Sequence, residues 1–496
     1  MMFSSQLWIA VGILAWIYFL WSRRRFYLLM LRVKGPAGFP LLGISINYLW
    51  NKRNMASRGK IFEKYGPTFL TWLGTVPVLT TCEPNVVQDI LLSPHCMDKS
   101  QAACNAVTKT AGAGNLALRG SQWVERRKQM NPSFRHNVLI SFLPIFNEEA
   151  KILLSLLDTF VGQGEREMLP DLLNWSFRVA SQTTLGSNVK ENPNFINGAL
   201  IKNFNTVLEL TTLSVVLPWI QNRTIATLLG IEKKITKAKF LMDELMRPII
   251  EEKMKNTPNE SQESLPSRNT VINRVVEFLK SGELSYDDAK GECGIIVAAG
   301  FETTGITVFS TLTFMAMFPE YQEAVFEELK DVFPNGGDFD VSYEDLQKLV
   351  YLDRVLKESM RLIPAVPLVP RETSHDVRLS NGIVLPKGLA VSVDIFHTHR
   401  NKDAWGPEAD KFNPDNFLPE NISKIHQYAF IPFSKGKRIC IGWKYAEINT
   451  KIALSKILRN FKLSTTFRAE DFVFIDNVGM EFGKKPLLSL QRRSPQ

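Results

Sequence analysis

Charge is missing from the first 22 of the chain's 496 residues. Cysteine is scarce and scattered: Cys82, Cys96, Cys104, Cys293 and Cys440 form no CxxC pair and no repeated spacing. Neither a zinc site nor a disulfide framework is therefore encoded, and an odd number of dispersed thiols suits a reducing compartment. Histidine is equally sparse. Of six, only His397 and His399 stand close together. Their spacing predicts one face of a strand, but without a third ligand they make no metal site. No basic run is interleaved with aromatics, so the net charge of +9 reads as a solvated surface and not as a nucleic-acid footprint. There is no internal repeat and no flavin or nicotinamide fingerprint.

The uncharged opening is long enough to matter. Phe3 to Trp21 is uncharged and predominantly apolar, and as a helix it spans roughly 28 Å, the thickness of a bilayer core. Trp8, Trp16, Tyr18 and Trp21 are candidates for an interfacial belt, and Arg23, Arg24 and Arg25 follow at once. A cleaved signal peptide has a shorter apolar core, basic residues before it and a small-x-small cleavage site; a mitochondrial presequence is amphipathic and rich in Arg and Ser. None of these is visible. Residues 1–22 therefore read as a single-pass transmembrane signal anchor, and the arginines after the span put the rest of the chain in the cytosol. Residues 23–43 read as a basic stop-transfer segment and an elbow, because Lys34–Gly43 holds two prolines and three glycines that cannot continue a helix. Residues 44–496 read as one folded body.

Within that body, apolar residues recur at three- and four-residue spacing over 234–255, 269–281, 286–316, 319–333, 344–362 and 441–460, which predicts helices. Pro319 and Glu320 resemble a helix start. Strand-like runs at 68–81 and 376–395 are broken by Gly and Pro. The polar stretch 256–267, with two prolines, reads as a surface loop. The fold class is mainly α with small β-sheets. Strands do not alternate with helices, which excludes a doubly wound sheet.

The most informative segment is Phe433-Ser434-Lys435-Gly436-Lys437-Arg438-Ile439-Cys440-Ile441-Gly442. Gly436 permits a tight turn and Gly442 the close approach of a flat ligand. Ile441, Tyr445, Ile448 and Ile452 then share a helical face, so Cys440 lies at or near a helix N-terminus, where free N–H groups favour a thiolate. Arg438 could neutralise a carboxylate of the ligand. An inert buried cysteine is the plainer alternative.

This segment matches F-x-x-G-x-R-x-C-x-G at every fixed position and resembles the signature of the cytochromes P-450. The resemblance implies the cytochrome P-450 fold behind one transmembrane helix, and haem b with Cys440 as axial thiolate to the iron. It also implies Arg438 on a haem propionate and Phe433 beside the sulfur. Ala299-Gly300-Phe301-Glu302-Thr303-Thr304 is similar to the family's oxygen-activating motif. On physical grounds Gly300 weakens the helix there, and Thr303 can bond the Ala299 carbonyl and bend it. Glu302 and Thr303 then form an alcohol–acid pair suited to proton delivery. Glu358 and Arg361 match E-x-x-R and are neighbours on a helix. The arginine that often completes this network is replaced by Asn416. Trp123 and Arg127 match W-x-x-x-R, four residues apart on one helical face, and Arg371 resembles a further propionate ligand.

The implied activity is that of a membrane-bound monooxygenase inserting one atom of O2 into a lipophilic substrate. Electrons would come from NADPH–cytochrome P-450 reductase, with cytochrome b5 as a second donor, at the endoplasmic reticulum (microsomal) membrane. A haem-thiolate isomerase or dehydratase, or a non-catalytic haem-binding membrane protein, are the alternatives; the intact Glu302–Thr303 pair argues against both. Residues 405–408 and 412–421 resemble insect microsomal members of the fourth-family clan. Many members of that clan have a haem-esterifying glutamate where this chain has Ala299, so non-covalent haem is expected. Substrate contacts are expected from 101–118, 205–220, the helix before Thr303, and 364–370, with Phe204, Leu208, Leu210, Leu213, Val215, Val216 and Leu217 as an apolar wall. Arg126, Lys128, Lys435, Lys437 and Lys444 could form a basic face for an acidic reductase.

Overall fold

The computed structural model describes residues 2–36, 38–39, 41–46, 54–186, 199–255 and 269–493. The polar 256–267 stretch lies outside them. The chain is mostly helical with small sheets. The opening helix, Met2–Ser22, carries exposed Trp8, Ile9, Leu14, Ile17, Tyr18 and Trp21. The basic segment before the Lys34–Gly43 elbow forms a second helix, Arg24–Met30. The elbow's glycines have a packing role beyond turning: a side chain at Gly35 would collide with the backbone of Leu70, and one at Gly43 with that of Trp72. The elbow thus lies directly on the first strand of the body.

That strand, β1 (Thr68–Leu73), pairs antiparallel with β2 (Val76–Thr81). Further on come β3 (Leu368–Glu372), β4 (Val377–Arg378), β5 (Val384–Leu385) and β6 (Ala390–Asp394). One four-stranded sheet runs β1-β2-β6-β3, with β6 parallel to β2. β3 overlaps the 364–370 stretch expected to touch substrate and carries Arg371.

The centre of the molecule is the Tyr286–Met317 helix of 32 residues. Ser285 caps it by accepting from the Asp288 amide at 3.1 Å, and Asp287 and Asp288 complement its positive end. It is long and apolar enough to cross a membrane, but most of it is buried in the body. Around it pack the helices Leu169–Leu185, Val350–Leu362 and Trp443–Asn460. The run 344–362, expected as one helix, is two: Tyr343–Lys348 and Val350–Leu362, broken at Leu349. Glu328, from the Pro319–Val332 helix, accepts from the amides of Tyr351 and Leu352 at 2.6 and 2.9 Å. This cap supplied by another helix meets the cost of the break, and periodicity alone carries no trace of it.

Candidate active site

Phe433 to Gly442 forms a folded-back loop. Ser434 and Gly436 both take positive φ, 58° and 76°, and a side chain at Gly436 would stand 2.2 Å from the Leu91 carbonyl oxygen. The Cys440 amide donates to Phe433 O at 2.9 Å, closing the loop. The following helix starts at Trp443 with Gly442 as its cap, so Cys440 precedes the first turn by three residues. A side chain at Gly442 would meet only the Phe134 ring, at 3.7 Å, among the described residues. Cys440 is exposed as a residue, yet protein crowds round its thiol. Burial pushes the Cys440 thiol up, while the Gly442 amide, Arg127 and Lys99 pull the other way.

Cations converge on this space. Arg371, on β3, is 2% exposed, and among the described residues its side chain bonds only the Pro370 carbonyl and, at 3.4 Å, Ser434 Oγ. Burial and the nearby Arg438 push its guanidinium down to about 10. Arg438 gives Nη2 to Asp98 and to the Leu118 carbonyl, both at 2.9 Å, and its buried Nε and Nη1 have no hydrogen-bond partner among the described residues. Its guanidinium lies 3.8 Å from the centroid of the buried Trp123 ring. Arg127, one helical turn from Trp123, is half-buried and bonds Asn131. Lys99 was not foreseen. Burial, then Arg371 and Arg438, lower its ammonium to about 7, with Cys104 and Cys440 nearby. No motif marks Lys99; only the folded chain brings it beside these arginines.

The long helix packs against the helix that follows Cys440. Ala299 is exposed and Gly300 and Thr303 half-exposed in the middle of an otherwise buried helix. A side chain at Gly300 would stand 3.3 Å from Ala180 and 4.0 Å from the ring of Tyr445, on the helix after Cys440. Thr303 Oγ1 donates to the Ala299 carbonyl at 2.7 Å, the back-bond its position predicts. Burial and then Glu481 raise the Glu302 carboxyl to about 7.

Behind the site, Glu358 and Arg361 are fully buried and bidentate, at 2.6 and 2.7 Å. Asn416 Nδ2 donates to Glu358 Oε1 at 3.1 Å, joined by the Asn413 amide at 2.8 Å. An uncharged amide therefore closes the network. Arg361 also bonds the carbonyls of His399, Ala409 and Lys411.

Three expectations are corrected. Arg126 does not belong to a basic surface: it is buried and pairs with Glu292 at 3.3 Å. Of the proposed wall, Phe204 packs edge-on among Phe177 and Phe301 in the core, while Val216 and Leu217 join Ile220 in a separate cluster. His397 and His399 lie in and just after a short helix, Ile395–Thr398, and not on a strand. His399 is spent on the Arg361 carbonyl and the Ile431 amide.

The cytochrome P450 family model matches residues 33–487. The chain belongs to the cytochrome P450 family. It is 48% identical to "Probable cytochrome P450 313a3" of Drosophila melanogaster over 99% of this chain and 100% of that one. "Probable cytochrome P450 313b1" of the same insect is 32% identical, over 97% and 98%. "Cytochrome P450 4c3", also from Drosophila melanogaster, is 27% identical over 90% and 86%. This P450 is thus a member of a haem-dependent monooxygenase family with insect relatives. The donor set fits haem. Cys440 is exposed, and among the described residues the neighbouring cations Arg371, Arg438 and Lys99 have Asp98 as their one bonded carboxylate. Such a deficit calls for an anionic ligand, which two propionates supply.

Proposed function

We propose that this P450 is a microsomal monooxygenase in which Cys440 ligates the iron of non-covalent haem b. The observation that carries the reading is the cluster of Arg371, Arg438 and Lys99 beside Cys440, short of carboxylates until a dianionic group arrives. Arg438, Arg371, Arg127 and Trp123 then hold the propionates, with Lys99 as a fifth contact. Phe433 and Gly436 set the loop, while Gly300 and Gly442 keep side chains away. Haem supplies the reductive activation of O2: one oxygen atom enters the substrate, and the other leaves as water with two electrons and two protons. Thr303 Oγ1, held by the Ala299 carbonyl, presents a hydroxyl, and Glu302, poised near neutrality, exchanges protons with it or with water. Ala299 offers no carboxylate for an ester to haem, so acid-acetone extraction is expected to remove the haem completely.

Residues 1–22 serve as the anchor, 23–43 as the linker and 44–496 as the catalytic body in the cytosol, at the endoplasmic reticulum membrane. Exposed Leu28, Leu31, Phe39 and Leu41 support a membrane surface continuous with the anchor. The substrate is a lipophilic small molecule. Electrons come from NADPH–cytochrome P-450 reductase, with cytochrome b5 as a second donor.

The test is a carbon monoxide difference spectrum of the reduced protein and of Cys440→Ala. A strongly red-shifted Soret band, lost in the variant, is expected. Its absence from folded, haem-supplied wild type would end the assignment.

A further inference from the structure

Between the helices Gln101–Ala111 and Gly120–Met130 the chain crosses the long helix as a loop, residues 112–119. Both ends are glycines in the left-handed region, Gly112 at φ 99° and Gly120 at φ 53°. The loop sits on glycine as well. A side chain at Gly291 would stand 2.1 Å from the Ala113 carbonyl oxygen, and one at Gly114 would press on Ile295 and Glu292. One side chain fastens it. Glu292, wholly buried, accepts from the Asn115 amide at 2.8 Å through Oε2, and the same oxygen pairs with Arg126 at 3.3 Å. Glu292 Oε1 and Asn115 Oδ1 are both buried acceptors without a donor among the described residues. Three residues beyond Asn115, the Leu118 carbonyl accepts from Arg438.

We propose that Glu292 is a positioning residue, a protonation-sensitive latch that holds the 112–119 loop closed over the site and seats the Leu118 carbonyl on Arg438. The neutral acid supplies the hydrogen that the two orphaned acceptors lack. The carboxylate leaves both unpaired and is itself desolvated. Arg126 faces it from the crossing helix and Asp288 from one turn earlier on its own helix; the loop offers only amides and Asn115. Burial outweighs Arg126 and raises the carboxyl from 4.5 to about 6. Opening the loop returns it to water. The closed form therefore holds its proton more tightly, and by linkage opening grows as pH rises from about 4.5 through 6, by up to about thirtyfold. The latch stands without haem; its bearing on substrate access rests on the monooxygenase reading.

The experiment is hydrogen–deuterium exchange of amides 113–118 in the full-length holoenzyme, corrected for intrinsic rates, between pH 5.5 and 8. Wild type is expected to exchange several-fold faster at pH 8. Glu292→Gln, which carries the missing donor permanently, is expected to stay protected and lose the pH dependence. Glu292→Ala is expected to exchange at least tenfold faster throughout. Should that variant fail to fold, Arg126→Met is expected to speed exchange at pH 8 far more than at pH 5.5. A protected loop in Glu292→Ala, or a pH response in Glu292→Gln equal to wild type, overturns the latch. A carbon monoxide spectrum on the same samples separates its failure from failure of the haem-thiolate assignment.

Discussion

The backbone of Gly479 lies against the Glu302 carboxyl so closely that a methyl group there would stand 2.9 Å from the carboxyl carbon and 3.0 Å from both oxygens. Gly479 belongs to the turn between two short strands, Phe474–Asp476 and Met480–Phe482. The turn is fixed on one side by the Met480 amide, which donates to the Ala365 carbonyl at 2.8 Å. On the other side the Val478 amide donates to Thr212 at 3.0 Å. Glu302 therefore meets a backbone that cannot easily yield. Gly479→Ala is expected to displace the Glu302 carboxyl from this place while sparing the carbon monoxide band. Product formed per NADPH should fall several-fold and hydrogen peroxide rise to match. Unchanged coupling with the band intact would show that the carboxyl position is immaterial.

The Glu302 carboxyl also sets a pH dependence of stability. Its value in the folded chain, about 7, lies above that of an unfolded glutamate, 4.5. Its stabilising contribution is thus fully present below about 4.5 and is lost as pH rises through 7. Glu302→Gln removes this loss, so the variant should match wild type in acid and become more stable above neutrality. The gap should reach on the order of 1–3 kcal/mol. Denaturant unfolding at pH 5 and pH 8.5 checks this; a constant difference across the range would mean that Glu302 does not titrate there.

Much of this was readable in the sequence because it is written in residue types that resist substitution. The loop around Cys440 needs Gly436 for its positive φ and its contact with the Leu91 carbonyl. The Thr303 back-bond follows from helical spacing alone. What escaped was set by distant contacts. Lys99 looks like any surface lysine until the fold brings it beside Arg371 and Arg438. Arg126 sits beside Arg127 in sequence, but the helix turns it toward Glu292 and out of the basic surface. The break at Leu349 depends on Glu328, more than twenty residues away. Asn416 shows the opposite case. The missing arginine was visible, and the structure shows that its amide makes the same closing contact to Glu358 without a third charge.

The cation cluster predicts opposite effects with and without haem. In the apoprotein, Lys99, Arg371 and Arg438 repel one another at close range. Lys99→Met should therefore raise the unfolding temperature of the apoprotein. In the holoprotein the same change removes an anion partner and should speed haem loss. Tm and the rate of haem transfer to an acceptor protein measure the two. A variant that lowers apoprotein stability and leaves haem transfer unchanged would assign Lys99 a purely structural place.

Reductase docking can be narrowed to particular lysines. Lys128, Lys437 and Lys444 are exposed, whereas Arg126 is buried and Lys435 is partly covered, bonding the Gln427 carbonyl and lying 4.9 Å from the Tyr428 ring centroid. Exposed charges of one sign act mainly on encounter, and their effect is screened over about 10 Å at 0.1 M salt. Combined charge reversal, Lys128→Glu with Lys437→Glu and Lys444→Glu, should raise the KM for reductase about tenfold at low salt and flatten its ionic-strength dependence. The carbon monoxide band and the peroxide-supported reaction, which bypass the reductase, should be unaffected. Arg126→Met should instead leave the reductase KM unchanged and disturb the loop held by Glu292. If the triple reversal leaves both KM and salt dependence unchanged, the acidic partner docks elsewhere and these lysines are no more than a solvated surface.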